Sequence, residues 1–261
     1  MALTDSLLND FAIRSFRDVA DHDYIAARLA YRANLFIQFH WSSLQALEKY
    51  LKTILLLNRI KAKDVGHDLE LALNRAERLP FKIRLTAPSE RFVRHLDTVA
   101  RFRYLESSFH VFGPKMVNLD RAVWEVRRYC RVLDYRIPSS ENGQRSALDL
   151  ELRRIVDAES HPPQRFRVNG GVLEKIIDDP AHPAREPLLW KNLFFGKRVR
   201  RKVRMRVPAH ATNAPLSLNP ELLDEVLKYV HLPKDAVAAY RGLAEESRLR
   251  GKKGQPAYGR K

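Results

Sequence analysis

Apolar residues recur at every third or fourth position through much of the first half of the chain, and this spacing strongly restricts the fold. The two clearest runs are Tyr24, Ala27, Tyr31, Leu35 and Phe39, and then Leu44, Leu47, Leu51, Ile54 and Leu55. Because an α-helix has about 3.6 residues per turn, residues with this spacing share one face. The pattern predicts two long amphipathic helices, of which the first includes residues 24–39.

Polar residues that can cap a helix predict where two more helices begin. Asp68 can accept from free amides at the start of a helix that runs to about Leu79, before Pro80. Asn118 can cap another helix, whose buried face would comprise Leu119, Ala122, Val123, Val126, Cys130 and Leu133. We expect the polar residues of that helix to face water, namely Arg121, Glu125, Arg128 and Arg131. Four or five helices joined by short connections favour an antiparallel bundle, so we predict a mainly α protein.

Glycine and proline are unevenly distributed along the chain. Only Gly66 and Gly113 precede residue 138, whereas the other eight of the ten glycines follow it. The segment IPSSENGQ, residues 137–144, is therefore the predicted linker between a helical bundle at 1–138 and a smaller basic, less regular region at 139–261. In that region we expect helices at 147–158 and 172–178, a helix start at Asn219-Pro220, a last helix at about 235–248 and a disordered tail from 252.

The charge of the chain favours a polyanionic partner. The net charge is +16 and the isoelectric point is about 10.1, which attracts nucleic acid or an anionic surface. The longest strongly apolar run, Ile54–Leu57, is far shorter than the ~20 residues of a membrane span. The first ten residues lack the basic and apolar regions of a signal peptide, so we expect no export and no membrane association.

Motifs for metals and common cofactors are missing from the sequence. The single Cys130 excludes an internal disulfide and a multi-thiolate metal site, and the histidines lack metal-ligand spacing. Asp21, His22 and Asp23 are interpreted as helix-start residues and not as metal ligands. There is no phosphate-binding P-loop, dinucleotide-binding glycine motif or nucleophile elbow. We expect no cofactor, no metal and a reducing, cytoplasmic setting.

The most basic segment of the chain is KRVRRKVRMR, residues 197–206, which contains no acidic residue. Its cations are the candidate nucleic-acid contacts Lys197, Arg198, Arg200, Arg201, Lys202, Arg204 and Arg206. Trp190, Phe194 and Phe195 precede it, and aromatic rings can stack on unpaired bases. The alternative is a solvated charged strand that packs Val199, Val203, Met205 and Val207 inward.

Two polar pairs in the first half have structural interpretations. His67 and Asp68 could form an orienting pair for acid–base chemistry, but a helix cap explains them more simply. Glu48 and Lys52 stand four residues apart, in the favourable order for a surface ion pair, and Gln45 and Lys49 complete this polar face. We expect the face to be solvated or to contact a second copy of the chain.

Four segments together resemble the HEPN superfamily over about residues 17–135. They are DYIAARLAYRA (23–33), QALEKYLKTILLLN (45–58), GHDLELAL (66–73) and RFRYLESS (101–108), the last leading into the helix predicted at 118–135. The resemblance implies an antiparallel four- to five-helix bundle that commonly dimerises. It also implies RNA engagement, since many members are metal-independent RNases and others are non-catalytic binding modules.

The resemblance assigns candidate catalytic residues. RNase members carry an Arg, four to six intervening residues and a His, and here Arg103 and His110 bracket YLESSF. Arg103 would hold the scissile phosphate and His110 would transfer protons. In one helix, the two side chains would share a face about 10 Å apart along the axis. In the alternative, Arg103 pairs with an acid such as Glu106 and His110 ends the element.

Two functions therefore remain open. One is an endoribonuclease of toxin or defence type that acts as a homodimer. The other is a non-catalytic module that binds a nucleotide, a nucleic acid or a partner protein such as a nucleotidyltransferase. Tyr104 follows Arg103 in the position where the catalytic version has a polar residue, and an Arg-Tyr pair here resembles the non-nuclease branch.

Overall fold

The chain is mainly helical, as predicted. The computed structural model describes residues 3–99, 109–139, 143–160, 169–196, 202–204 and 209–253. The α-helices are α1 (Leu3–Ala12), α2 (Asp18–Arg32), α3 (Phe36–Leu57), α4 (Leu69–Ala76), α5 (Ala87–Val99), α6 (Lys115–Arg127), α7 (Leu148–Ser160), α8 (Val172–Asp178), α9 (Arg185–Leu189), α10 (Pro215–Leu218), α11 (Leu223–Val226) and α12 (Lys234–Lys253). A π-helical turn spans Ile13–Arg17 and a 3-10 turn spans Pro220–Leu222. The strands are β1 (Phe109–Phe112), β2 (Arg136–Ser139), β3 (Gly143–Ser146) and β4 (Ala209–Thr212).

The chain forms two compact units. Unit 1 comprises residues 1–101 and 113–207, and unit 2 comprises residues 102–112 and 208–261. In unit 1, α2 and α3 form an antiparallel hairpin, and α3 also packs against α1, α4, α5 and α6. The core between these helices contains fully buried large side chains, including Tyr24, Phe39, Tyr50, Phe92 and Leu96. β2 and β3 pair as a small antiparallel hairpin beyond this core.

Helix α2 ends earlier than its apolar pattern predicts. Asn34 has a φ of 58°, and the amide of Leu35 donates to the Ala30 carbonyl at 2.8 Å. The Asn34 amide donates to the Tyr31 carbonyl at 3.1 Å, which completes a Schellman motif with asparagine in the left-handed position. The prediction of one helix through residues 24–39 was therefore wrong, and Leu35 is 56% exposed in the turn between α2 and α3.

Two buried ion pairs align α2 with α6. Arg127 donates to both carboxylate oxygens of Asp21 at 2.7 and 2.8 Å, and Arg28 donates to Asp120. All four side chains are buried. On each helix the acid and the arginine are seven residues apart, which is two turns or about 10.5 Å. The two pairs have opposite polarity, because α2 contributes the acid to one pair and the arginine to the other. The helices therefore run antiparallel in a single register.

Tyrosines and a neighbouring helix complete this buried network. Tyr50 donates to Asp21 at 2.6 Å, and Tyr24 donates to Asp120 at 2.7 Å. Glu174 of α8 accepts two hydrogen bonds from Arg127, at 2.7 and 2.8 Å. Both oxygens of Asp21 and of Glu174 thus have donors, as buried charges require, whereas the two donors to Asp120 share Oδ1 and its Oδ2 has no partner among the described residues.

The segment after residue 168 belongs to unit 1. Besides the contact of α8 with Arg127, α9 packs against α2, where Arg28 donates to the Pro187 carbonyl at 3.1 Å. A boundary near residues 137–144 was predicted from glycine and proline, but these residues lie inside unit 1. The physical reason is that Arg28 and Arg127 project from the bundle's own helices into residues 169–196.

The capping predictions had mixed outcomes. Asp68 caps α4 as predicted, because its carboxylate accepts from the Leu71 amide at 2.7 Å. Asp97 of α5 adds a second cap by accepting from the amides of Leu69 and Glu70, both at 2.9 Å. Asn118, however, lies inside α6, which begins at Lys115.

Two of the four residues on the polar face predicted for this helix are buried. Its predicted apolar face is buried, but Glu125 and Arg128 are buried as well. Glu125 accepts from the Thr86 amide at 2.9 Å and from its hydroxyl at 2.8 Å, while Arg128 donates to the Arg84 carbonyl at 3.4 Å. The segment before α5 therefore covers a face of α6 that its own periodicity assigns to water.

Unit 2 has its own small core. Ala214, Leu216, Leu223, Leu232 and Tyr240 form its buried cluster. The helix start predicted at Asn219-Pro220 is a 3-10 turn that leads into α11, and α12 continues past Gly251 to Lys253. The helices predicted at 147–158 and 172–178 correspond to α7 and α8, which belong to unit 1. Of the tail predicted to be disordered, residues 254–261 lie outside the described residues.

We predict that replacing Arg127 by Met strongly destabilises the protein. The substitution leaves the Asp21 carboxylate buried without its cation, which costs about 3–5 kcal/mol of unfolding free energy. Urea unfolding measures the loss. Arg14→Met removes an exposed ion pair with Asp10 and should cost less than about 1 kcal/mol. Equal effects of the two variants would contradict the prediction.

Candidate nucleic-acid interface

The structure describes only part of the predicted basic segment. Lys202 and Arg204 are exposed in a stretch without regular structure, and Val203 between them is half-buried. Lys197, Arg198, Arg200, Arg201 and Arg206 lie outside the described residues. Both exposed cations are therefore accessible to phosphates. The half-buried Val203 between them follows the alternation expected of a charged strand that packs its valines inward.

The predicted catalytic pair is not brought together as one helix. His110 lies in strand β1, where it pairs in register with Ala211 of β4. Because a strand begins at Phe109, a single helix does not extend through His110, so the condition for the same-face arrangement is not met. Arg103 and the side chain of His110 lie outside the described residues.

The three aromatic residues before the basic segment have different roles. Phe195 is buried and contacts the rings of Tyr24 and Trp124, with centroids 5.6 and 5.9 Å apart. Trp190 and Phe194 are only half-buried. Phe195 therefore anchors the segment in the core, while Trp190 and Phe194 remain partly accessible.

Each accessible ring holds a cation. The Arg32 guanidinium lies 4.9 Å from the Trp190 ring centroid, and the Lys191 ammonium lies 5.0 Å from it. The Arg121 guanidinium lies 5.4 Å from the Phe194 centroid. These distances are typical of cation–π contacts. We call Arg32, Arg121, Trp190, Lys191 and Phe194 the cation–aromatic surface.

Asn192 holds the backbone that presents this surface. Its amide nitrogen donates to the Tyr24 hydroxyl at 2.9 Å and to the Leu188 carbonyl at 3.0 Å. Its amide oxygen accepts from the backbone amides of Phe194 and Phe195, at 2.9 and 3.0 Å. Because Asn192 is buried, the turn is fixed to the same core that contains Tyr24.

Only one of the three cations of the cation–aromatic surface is paired with a carboxylate among the described residues. Arg32 pairs with the exposed Glu186. Arg121 and Lys191 have no carboxylate partner among the described residues, and the buried Nε of Arg121 has no hydrogen-bond acceptor there. Two cations held in place by aromatic rings thus keep an unbalanced positive charge, which favours binding of an anion.

The polar face predicted on α3 contains a buried carboxylate. Glu48 is 4% exposed and accepts from His67 Nδ1 at 2.7 Å, from Lys52 and from Gln45. Lys49 donates to Asp23 of α2 at 2.6 Å. The face was expected to be solvated or to contact a second copy of the chain, but Glu48 is buried within unit 1, because the segment before α4 places His67 over it.

Two histidines meet in the core of unit 1. His40 of α3 is buried, its Nδ1 donates to the Phe36 carbonyl at 2.7 Å, and its Nε2 lies 3.1 Å from His95 Nε2 of α5. Burial lowers the pKa of His40 to about 4, and the charge of Lys115 adds to this effect. His40 is therefore neutral at pH 7, with its Nε2 as the acceptor in this contact.

Neither a metal site nor a membrane span is present in the part of the chain that the structure describes. No three His, Cys, Asp or Glu side chains are grouped there to hold a metal ion. Within the same residues, no helix is long and apolar enough to cross a membrane.

The chain was compared with protein-family models, with curated proteins and with solved structures, and none of the three gave a match. The function is therefore inferred from the residues of the site.

We predict that His40 makes the protein less stable in acid. Its pKa in the folded state, about 4, lies below the ordinary histidine pKa of 6.5, so the folded state binds fewer protons between these values. The unfolding free energy should fall by about 3 kcal/mol as the pH decreases from 6.5 to 4 because of this group alone. Urea unfolding of the wild type and of His40→Asn at several pH values measures the difference.

The exposed His22 of α2 provides the control. His22→Asn should retain the pH dependence of the wild type, whereas His40→Asn should lose part of it. A constant difference in stability between the wild type and His40→Asn over this pH range would show that His40 does not titrate as predicted.

Proposed function

We propose that the protein binds RNA, with the cation–aromatic surface and the basic segment 197–206 contacting the phosphate backbone. The observation that carries the proposal is Arg121, whose guanidinium is held over Phe194 with no carboxylate partner among the described residues. An arginine held in one orientation loses little side-chain freedom when it donates two hydrogen bonds to a phosphate.

The charge distribution along the chain supports the same function. Lys191 stands beside Trp190, and Lys202 and Arg204 carry exposed cations eleven and thirteen positions further along the chain. With a net charge of +16, the chain as a whole attracts a polyanion from a distance. The faces of Trp190 and Phe194 are already in contact with cations, which favours phosphate contacts over stacking of bases on these rings.

We predict that Arg121→Ala weakens RNA binding and reduces its salt dependence. Removing one phosphate contact should lower the slope of log affinity against log salt by about 0.7 for a single strand. Fluorescence anisotropy with a labelled single-stranded RNA, titrated at several KCl concentrations, measures both quantities. DNA of the same sequence in a parallel titration tests the preference for RNA.

Arg14→Ala is the matched control, because it removes one arginine that is exposed and paired with Asp10. This variant should bind with nearly the wild-type slope. If Arg14→Ala and Arg121→Ala lowered the slope equally, binding would reflect net charge only, and the assignment of Arg121 would be wrong.

Cleavage of the bound RNA is the further hypothesis that follows from the HEPN resemblance. In it, Arg103 holds the scissile phosphate, His110 moves the proton, and a homodimer brings two such pairs together. The activity would be of toxin or defence type, which rests on analogy alone. In the alternative, the protein is a non-catalytic module for RNA, a nucleotide or a nucleotidyltransferase-type partner.

One experiment separates these hypotheses. Structured and unstructured labelled RNAs are incubated, with EDTA present, with the wild type and with Arg103→Ala/His110→Ala, and light scattering gives the oligomeric state of each. The catalytic hypothesis predicts cleavage by the wild type alone. The module hypothesis predicts that both proteins bind RNA and that neither cleaves it.

A further inference from the structure

His67 and Glu48 form an oriented pair at the surface of unit 1. His67 Nδ1 lies 2.7 Å from Glu48 Oε2. An ionised carboxylate only accepts hydrogen bonds, so Nδ1 carries the proton and the lone pair is on Nε2. The Gln45 amide nitrogen lies 3.3 Å from both Nδ1 and Glu48 Oε2, and it donates to the carboxylate.

The two members of the pair differ sharply in exposure. The Glu48 side chain is 6% exposed, whereas the His67 side chain is 49% exposed. Lys52 fixes the carboxylate from the other side and also donates to the Gly66 carbonyl at 3.1 Å, next to His67 in the chain. The imidazole also packs against the Trp41 ring in a T-shaped arrangement, with ring centroids 5.3 Å apart. Protein contacts therefore hold the ring while part of it remains open to solvent.

This arrangement has the orientation that a nucleophilic histidine requires. A histidine acts as a nucleophile through an unprotonated ring nitrogen, and a carboxylate on the other nitrogen fixes the tautomer. Bond formation at Nε2 places positive charge on the ring, and the adjacent Glu48 carboxylate stabilises that charge. Lys49 and Lys52 pair with Asp23 and Glu48, so the charges of these carboxylates beside the ring are balanced and do not repel an anionic reagent.

We propose that His67 is a phosphoryl acceptor, modified at Nε2 by a phosphoryl donor of the acyl phosphate or phosphoramidate class. The Nε2 lone pair forms the N–P bond, and the bond from phosphorus to the donor's leaving group breaks with its electron pair going to that group. The Nδ1 proton stays between His67 and Glu48. No oxidant, reductant or metal takes part. Glu48 is a positioning residue, because it acts through His67.

The experiment uses potassium phosphoramidate as the donor, with the full-length protein at pH 8. Intact mass should show the addition of one phosphoryl group, and peptide mapping should place it on His67. The adduct should be labile to acid and stable to base, as expected for a phosphorylated histidine. ³¹P NMR of the modified protein identifies the N–P bond.

The matched control is His22, an exposed histidine of α2. His22→Gln should be modified like the wild type, whereas His67→Gln should lose the adduct. Glu48→Gln should react about tenfold more slowly, because the ring loses the carboxylate that fixes its tautomer and stabilises its positive charge. Modification spread evenly over the surface histidines, or no modification at all, would overturn the proposal.

A spectroscopic measurement keeps the test decisive even where a variant folds poorly. The ¹⁵N spectrum of the wild type should show His67 with a protonated Nδ1 and an unprotonated Nε2. In Glu48→Gln the ring should become a mixture of the two tautomers, while the unfolding free energy stays unchanged. A Glu48 with a purely structural role would not change the tautomer of His67 in this way. A protonated Nε2 in the neutral wild-type ring would contradict the proposal directly. None of these readouts involves RNA, so the outcome is independent of the proposed function.

Discussion

The pairing of two buried acids with two buried arginines between α2 and α6 is the constraint on which the rest of unit 1 depends. Taking charges out of water is costly unless each one meets an opposite charge and further hydrogen bonds. Asp21 meets this condition only when Arg127 and Tyr50 are both in place, and Asp120 only with Arg28 and Tyr24. Hydrophobic burial supplies the driving force for the bundle, and the ion pairs restrict how its helices can lie.

The same arginines connect the bundle to its candidate interface. Arg127 reaches Glu174, and Arg28 reaches the carbonyls of Pro187 and Trp190. Because these partners lie in residues 169–196, ordering the bundle also orders the segment that presents Trp190 and Phe194. The cation–aromatic surface is thus an extension of the buried network.

Interactions between residues close together in the chain could be predicted from the sequence, and interactions between distant residues could not. The cap of Asp68 on Leu71 spans three residues, and it was predicted correctly. The burial of Glu125 and the pairing of His67 with Glu48 depend on segments distant in sequence, so local periodicity assigned both acids to water. Two features of the sequence could have been used. Asn34 is a residue type that often ends a helix, and an acid and an arginine are spaced by seven residues on each of two otherwise apolar helix faces.

The opposite polarity of the two ion pairs also discriminates against misaligned bundles. A slip of α6 by seven residues along α2 would preserve much of the apolar periodicity, so packing alone would tolerate it. In one direction the slip would place Asp21 opposite Asp120, and in the other it would place Arg28 opposite Arg127. Like charges placed together in this way cost several kcal/mol. The two pairs therefore make both seven-residue slips electrostatically unfavourable, which apolar side chains at these four positions could not do.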